Sequence, residues 1–525
     1  MTRTLKVVSW TVAAAVGTLI VLTVIAAAGS RTDPLRRLVI ATLAERLDSD
    51  VELQAFSVDL FPSVVIRGHG LTLRLRSQPA GLPLIVIKSF TVHCGLVDLI
   101  RRPRRFRTVA LDGLIVNVPP GGLREKNNPI GDAVKGAPAL SNHRVLGESP
   151  IVIGELEADG ALLRIIPRRE GKDPREFSIH TLTMRSLGLA QQMPFTATLT
   201  NPVPKGRIET SGTFGPWQRE DPGSTPLAGT YSFQQADLGT IKGIGGTLNS
   251  TGEFSGQLER IAVKGRTHTP DFHLDVTDQP VALATSFEAV VDGTDGDTYL
   301  NRVDAQFLKT TLTAKGKVVG LKGVKGRHVQ VNVRIHEGRI EDLLRLSVKR
   351  DPPVLVGNVV LQTDFTLPPG EQDVLHKLEL AGTFDVADAR FTDRNVQEKL
   401  SGLSARARGL DPDQAASNVV SDLTGTFTMK KGTLTLSRLT FGIPGATVNL
   451  HGSYGVASEA LYFDGTVRMQ ATISQAAGGG VKGFFLKAVD PIFRKKGAGA
   501  VIPIRIRGTA GAPQFGVDVG RVFKR

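Results

Sequence analysis

Residues 378–384 read LELAGTF: Leu378, Glu379, Leu380, Ala381, Gly382, Thr383, Phe384. In an extended chain successive side chains point to opposite faces, so Leu378, Leu380, Gly382 and Phe384 share one side. Glu379, Ala381 and Thr383 take the other. The segment describes a strand with one dry face and one wet face, and a glycine notch on the dry one. A glycine inside a strand marks a bulge, a bend or a close approach of backbone. The five-residue phrase occurs nine times: also VVIRG (Val64–Gly68), VALDG (Val109–Gly113), LEADG (Leu156–Gly160), IAVKG (Ile261–Gly265), LTAKG (Leu312–Gly316), VNLHG (Val448–Gly452), LYFDG (Leu461–Gly465) and IRIRG (Ile504–Gly508). Repetition at irregular intervals describes a long, twisted and bent sheet, a scaffold rather than a single site.

Other segments keep the same period. Over His328–Ile335 the apolar set is Val329, Val331, Val333 and Ile335, and the polar set is His328, Gln330, Asn332 and Arg334. Phe272, Leu274 and Val276 alternate likewise, as do Val281, Leu283, Phe287, Ala289 and Val291. Helical spacing is confined to a stripe after Asp33-Pro34 (Leu35, Leu38, Val39, Leu43, Leu47) and to Gly338–Val348, Asp393–Ala407 and Val481–Phe493. That is too little helix for a parallel βαβ sheet and favours antiparallel meanders. The expected fold is mostly β: an elongated, twisted antiparallel sheet forming a groove or bridge-like body, with few short helices and one N-terminal transmembrane helix. Roughly twenty strands about 4.8 Å apart would extend on the order of 100 Å. Pro119–Pro150 and Phe214–Pro226 read as long loops able to separate lobes. The expected division is residues 1–6 as a short cytoplasmic tail, 7–29 as a membrane anchor, 30–245 as a first β-rich region and 246–525 as a second.

Bulk properties fit this reading. Charged residues are 22%, hydrophobic residues 41%, and glycine is raised to 57 of 525, a globular composition suited to strands and turns. The net charge of +14 is concentrated in RRPRRFR (Arg101–Arg107) and in ten Lys or Arg between Val481 and Arg525. Nucleic acid is not expected as a partner, because neither aromatic stacking platforms nor a docking helix accompanies the charge. An outer-membrane barrel is disfavoured by only two Trp and four Tyr, too few for aromatic girdles. Val7–Gly29 carries no charge, and a helix of that length spans about 35 Å, enough for a hydrocarbon core of about 30 Å. It exceeds the apolar run of about 7 to 15 residues usual in a cleaved signal, which favours an uncut anchor. Flanking positive charges on both sides leave its orientation undecided. The single cysteine, Cys94, precludes an intrachain disulfide and reads as a small apolar filler.

No HExxH, GxSxG, CxxC or P-loop phrase is present, so no catalytic residue, metal ligand or cofactor is expected. The histidines are scattered. DGTDGDT (Asp292–Thr298) offers three aspartates that could serve calcium, but Asp-Gly is also a hairpin-turn signal, and the turn is the expected reading. Val481–Gly499 sets Phe484, Phe485, Leu486, Val489, Ile492 and Phe493 against Lys482, Lys487, Arg494, Lys495 and Lys496. A helix over 481–493 with that pattern suits either an anionic membrane surface or a lid on the open end of the sheet.

Four stretches together carry a resemblance: VELQAFSVDLFPSVVIRGHGLTLRLR (Val51–Arg76), VDGTDGDTYL (Val291–Leu300), LTFGIPGATVNLHGSYG (Leu439–Gly455) and GFFLKAVDPIFRKKGAGAVIPIRIRGT (Gly483–Thr509). With the preceding anchor and amphipathic helix, the chain resembles the AsmA-like family of bacterial envelope proteins. The resemblance implies an inner-membrane anchor, a periplasmic β-rich body of the bridge-like lipid-transfer kind and a role in outer-membrane homeostasis, with no catalytic residues. The expected partners are phospholipid or another acyl lipid, the inner membrane through residues 7–29, and an envelope protein at the distal end. The expected groove residues are Leu378, Leu380, Phe384, Val448, Leu450, Val329, Val331 and Val333. The membrane-surface or lid residues are Phe484, Phe485, Leu486, Lys487, Ile492 and Phe493. The alternative is a non-enzymatic scaffold assisting outer-membrane protein assembly, its dry faces packed on one another.

Overall fold

The computed structural model describes residues 49–59, 63–75, 82–118, 151–165, 175–216, 222–410, 419–471 and 500–517, apart from a few positions within these ranges, and five helical positions between 36 and 44. The expected anchor at 7–29, the tail at 1–6 and the amphipathic helix at 481–493 lie outside the described residues. Among the described residues, no helix is long and apolar enough to cross a membrane.

The described strands, β1 to β24, belong to a mixed sheet that does not close on itself. Contacts divide the chain into two compact units, one made of residues up to Pro202 with Gly206–Phe233 and Glu253–Glu259, the other of the remainder. In the first unit β1 (Ser49–Asp59), β2 (Val64–Leu75), β3 (Ile85–Cys94) and β4 (Arg104–Val118) pair in sequence, all antiparallel. β5 (Ile151–Ile165) then lies parallel to β4, and β6 (Arg175–Leu187) and β7 (Met193–Pro202) return to antiparallel pairing. The sheet is therefore mixed, which corrects the all-antiparallel expectation. Parallel neighbours need a long crossover because the chain must travel back along the whole strand. Residues 119–150, the expected long loop, connect β4 to β5 and lie outside the described residues. The loop after β8 (Lys205–Phe214) likewise leads to β9 (Pro226–Asp237), with Gly215 N–H donating to Pro226 O at 2.8 Å.

The core of this unit is Val51, Leu53, Phe56, Leu71, Leu73 and Ile87, with Ile40 and Ala44 of the N-terminal helical turn packed against it. Its dry face can be followed strand by strand through Phe56, Gly68, Phe90, Leu111, Ala158, Leu182 and Ala197.

In the second unit, β10 (Ile244–Gly245) and β11 (Thr247–Gln257) lead into β12 (Arg260–Leu274). There follow β13 (Val281–Val291), β14 (Thr298–Phe307), β15 (Thr310–Gly320), β16 (Arg327–Arg339) and β17 (Leu355–Leu367). The unit ends with β18 (Glu379–Phe391), β19 (Ser421–Lys430), β20 (Thr433–Ile443), β21 (Ala446–Gly455), β22 (Leu461–Met469), β23 (Ala500–Thr509) and β24 (Ala512–Val517). From β12 onward each strand pairs antiparallel with the next. Three helices interrupt the meander: α1 (Ile340–Ser347), α2 (Val374–Lys377) and α3 (Arg394–Ala407). The expected alternation is clearest in β19, where buried and exposed residues alternate along the whole strand. The register slips once in most pairs from β12–β13 to β20–β21, and such bulges bend a strand and increase its twist.

Eight of the nine repeated phrases lie wholly in strands and LELAG enters β18 at Glu379, and the structure adds a reason for several of their glycines. Gly68 faces Phe56 and Phe90, Gly265 faces Phe287, Gly382 faces Phe427 and Gly452 faces Phe463. A Cβ on Gly68 would overlap the Phe90 ring, and a Cβ on Gly382 would overlap Gln362 O and come within 2.9 Å of Thr363 Cα. The notch admits a cross-strand ring or a neighbouring backbone that a side chain would exclude.

Two measurements follow. Gly382→Val should lower stability by about 1–3 kcal/mol through overpacking. Gly402→Ala, in α3 where nothing lies within 4 Å of the added carbon, should raise it by about 0.5–1 kcal/mol through helix propensity. Urea unfolding followed by circular dichroism would show midpoints moving in opposite directions, and movement in the same direction would refute the assignment. The Cys94 thiol is buried at 4% exposure, and burial, with the Asp98 carboxylate beside it, pushes its pKa up. Maleimide should therefore modify the folded chain much more slowly than the chain in urea. Equal rates would show that Cys94 is accessible.

Candidate functional site

The dry face of the second unit is one line of residues traced through the register. Gly265 stands opposite Phe287, then come Val303, Ala314, Val333, Thr363, Gly382, Phe427, Leu436, Gly452, Phe463, Ile506 and Phe515. Strands about 4.8 Å apart carry this line on the order of 60 Å from β12 to β24. A second line beside it runs Leu300, Gly316, Val331, Phe365, Leu380, Met429, Leu434, Tyr454 and Leu461.

Among the described residues, helices cover one end of these strands and none covers the other. Where β16 passes into α1 and β18 into α3, Ile335, Val359, Val386 and Ala389 are at most 1% exposed. They form a core with Leu423, Phe441, Val448 and Val467, against which Ile340, Leu343 and Leu344 of α1 and Leu400 and Leu403 of α3 pack. Toward the opposite strand ends the cluster changes character. Phe427, Leu436 and Phe463 are buried, but Leu361, Leu380, Phe384, Leu434, Leu450, Tyr454, Leu461 and Ile506 around them are half-buried, and no helical residue joins the group. The apolar face is sealed under two helices and half open beyond them.

The helices are held by polar contacts. In α1, Asp342 is buried and accepts from Lys309 N at 2.9 Å and from Thr310 Oγ1 at 2.8 Å. In α3, Asp393 caps the N-terminus, accepting from Val396 N at 3.2 Å and from Arg350 Nη2 at 2.8 Å. The Arg350 guanidinium, then the Val396 N–H, hold the Asp393 carboxyl below the usual range. A depressed carboxylate stabilises the fold above the ordinary aspartate range, and that contribution is lost as pH falls through the lowered value. Gln397 Nε2 donates to Val419 O at 3.0 Å and Ser404 Oγ to Pro444 O at 2.8 Å, seating the buried side of α3 on neighbouring loops.

The expected groove residues divide accordingly. Val329, Val331 and Val333 in β16 and Leu380 in β18 lie on the half-open part, and Phe384 in β18 and Leu450 in β21 lie at its border, half-buried and packed against both clusters. The Phe384 ring lies 6.2 Å from that of Phe427, and a Cβ on Gly425 would come within 2.5 Å of it. Val448 is sealed in the core at 5% exposure. Leu378 is not a strand residue: Asp373 caps a single helical turn, and Leu378 is its C-terminal cap, half-buried just before β18. Phe484, Phe485, Leu486, Lys487, Ile492 and Phe493 lie outside the described residues. Sequence reasoning missed Phe365, Leu434 and Tyr454, which join the open face only because the register aligns them. The Tyr454 hydroxyl is buried without a partner among the described residues, and burial, then Glu459, raises its pKa.

DGTDGDT forms the β13–β14 turn. Asp292 N donates to Asp297 O at 2.8 Å, Asp292 Oδ1 accepts from Thr294 N at 2.8 Å, and Asp297 Oδ1 accepts from Gly320 N at 2.8 Å and from Arg327. Those carboxylates order the turn. Among the described residues, no group of three His, Cys, Asp or Glu is placed to hold a metal ion. Comparison with protein-family models, with curated proteins and with solved structures finds no match to this chain.

Proposed function

We propose that this chain is a membrane-anchored, non-enzymatic protein of the bacterial envelope that binds or transfers acyl lipid, with the half-open apolar face as its lipid-bearing surface. The observation that carries the reading is the line Val331–Phe365–Leu380–Met429–Leu434–Tyr454–Leu461, which crosses seven consecutive strands and is half-buried at every position but Met429. An apolar surface of that extent marks a binding face. Hydrocarbon is the guest it suits, since it offers dispersion contact and almost no hydrogen-bonding group. Each methylene taken out of water contributes about 0.8 kcal/mol, so a chain of about sixteen carbons represents roughly 13 kcal/mol against the cost of leaving its bilayer unaided. The resemblance to the AsmA-like family points the same way: residues 7–29 as the inner-membrane anchor, the body in the periplasm as an elongated groove, phospholipid or another acyl lipid as cargo, an envelope protein at the far end and outer-membrane homeostasis as the purpose.

The second reading, a scaffold for outer-membrane protein assembly, draws on the sealed half of the face, where Val359, Val386 and Val448 are closed under α1 and α3. The two readings separate by photocrosslinking in whole cells. A benzophenone amino acid replacing Phe384 or Val331 should yield lipid adducts detected by mass spectrometry, and the same probe replacing Val359 should yield none. Phe384→Asp should reduce lipid co-purified with the full chain several-fold. Absence of lipid at Phe384 and Val331, with protein adducts in its place, would favour the scaffold.

A further inference from the structure

Residues 242–246, which include Gly243, Gly245 and Gly246, touch two helices that flank β17 at its opposite ends, and all of these residues belong to the second unit. β10 pairs with the last residues of β12, Ile244 opposite Leu274 and Gly245 opposite His273. Asp275 N donates to Gly243 O at 3.1 Å, and Gly243 N donates to Asp275 Oδ2 at 3.1 Å. Residues 242–246 and the β12–β13 turn are thus one bonded piece, a strap. On one side the strap reaches α1, which precedes β17: Thr277 Oγ1 donates to Leu346 O at 3.4 Å, and Gln279 Nε2 donates to Lys349 O at 2.9 Å and to Val348 O at 3.5 Å. On the other it reaches α2, which follows β17: Val374 N donates to Lys242 O at 3.0 Å. β17 has 13 residues, about 40 Å of extended chain, so the strap joins elements that enter and leave one strand at its two ends.

The two attachments are unequal. At α1 the strap's side chains meet three carbonyls around Val348, which is buried. At α2, among the described residues, one backbone hydrogen bond is the whole polar attachment, and no residue of α2 is buried. Val374 is the first residue of α2, where an amide has no partner inside the helix, so Lys242 O serves a donor that water could serve instead. The fit there is close: a Cβ on Gly243 would lie 2.8 Å from Val374 N. Gly243 and Gly246 have φ of +101° and +121°, a conformation that glycine adopts without steric cost, and such backbone suits a hinge. α2 joins the ends of β17 and β18 that carry Phe365 and Leu380, two members of the half-open line. α1 packs on the same apolar face, so a strap tied to both helices borders the approach to that line.

We propose that the strap is a gate: it leaves α2 while staying on α1, and its movement widens the approach to Phe365 and Leu380 for an acyl chain. Closed, the strap ties α2 to α1 beside the apolar line; open, the rim at α2 is free and hydrocarbon passes across it. The identity of the guest rests on the lipid reading, whereas the opening is a property of the fold.

Paired spin labels test the opening. In a Cys94→Ala background, the full chain in phosphatidylcholine nanodiscs is labelled at Lys242→Cys with Val374→Cys, or at Asp278→Cys with Lys349→Cys as the control on the α1 side. Unchanged circular dichroism would show that both pairs fold. Double electron–electron resonance should resolve two distance populations for the first pair and one for the second. A single short distance for the first pair overturns the proposal. The gating is tested by bridging Lys242→Cys to Val374→Cys with a short bis-methanethiosulfonate, which dithiothreitol reverses. The bridge should slow transfer of pyrene-labelled phosphatidylcholine out of phosphatidylcholine vesicles at least about fivefold, because it removes the open population, and reduction should restore the rate. Equal transfer with the bridge intact and reduced overturns the gate. Absence of transfer even after reduction, with two distance populations present, counts against the lipid reading and supports the opening of the strap.

Discussion

A β-strand that alternates dry and wet residues cannot be stable alone, because its dry side must find cover. In this chain the same requirement is repeated strand after strand, and the helices among the described residues are too few to meet it everywhere. In the second unit α1 and α3 close the face at one end of β16–β22, and each is placed by a connection that leaves a strand at that end. At the other end the connections are short turns and the single-turn α2. The contrast between Val386 at 1% exposure and half-buried Leu380 within one strand follows from this uneven supply of helix. What is sealed and what is open is decided by where the chain places its loops.

The period of two was legible at once. His328–Ile335 lies in β16, and eight of the nine glycine phrases lie wholly in strands, because alternation is a local property that a single strand displays by itself. Helices were legible for the same reason, Gly338–Val348 and Asp393–Ala407 differing from α1 and α3 by a residue or two at the ends. Partnership was not legible. That Gly382 faces Phe427, or that Val331, Phe365 and Tyr454 share one surface, depends on register across strands far apart in the chain. Nor was the parallel pairing of β4 with β5 legible, since it too is a relation between strands far apart in the chain. Leu378 was misplaced because Asp373, five residues earlier, starts a helical turn that the apolar alternation conceals.

The buried side of α3 also departs from what helical spacing suggests. Gln397, Ser401, Ser404 and Ala405 are buried, while Leu400 and Leu403 are only partly so. A helix lying on a sheet it must fully seal would present its leucines inward. α3 instead donates from Gln397 and Ser404 to backbone carbonyls of the loops at Val419, itself buried, and at Pro444. Its inward polarity is therefore dictated by the loops it covers, and its leucines close the edge of the apolar cluster beside them.

The pairing of glycine with phenylalanine bears on how selective the open face can be. A ring lying over a notch levels the surface, because the volume removed at one strand is filled from its neighbour. The resulting strip has few pockets to recognise the shape of a guest and few donors to recognise its polar groups; the Tyr454 hydroxyl, the polar group on the second line, is itself buried. Affinity on such a surface scales with the apolar area covered, so under the lipid reading acyl chains of similar length would be held alike whatever their headgroup. Discrimination between headgroups requires oriented charge and hydrogen-bonding groups, which this sheet carries on its wet side. Alternation thus gives each strand two faces of different chemistry, each set by residues that the other never contacts.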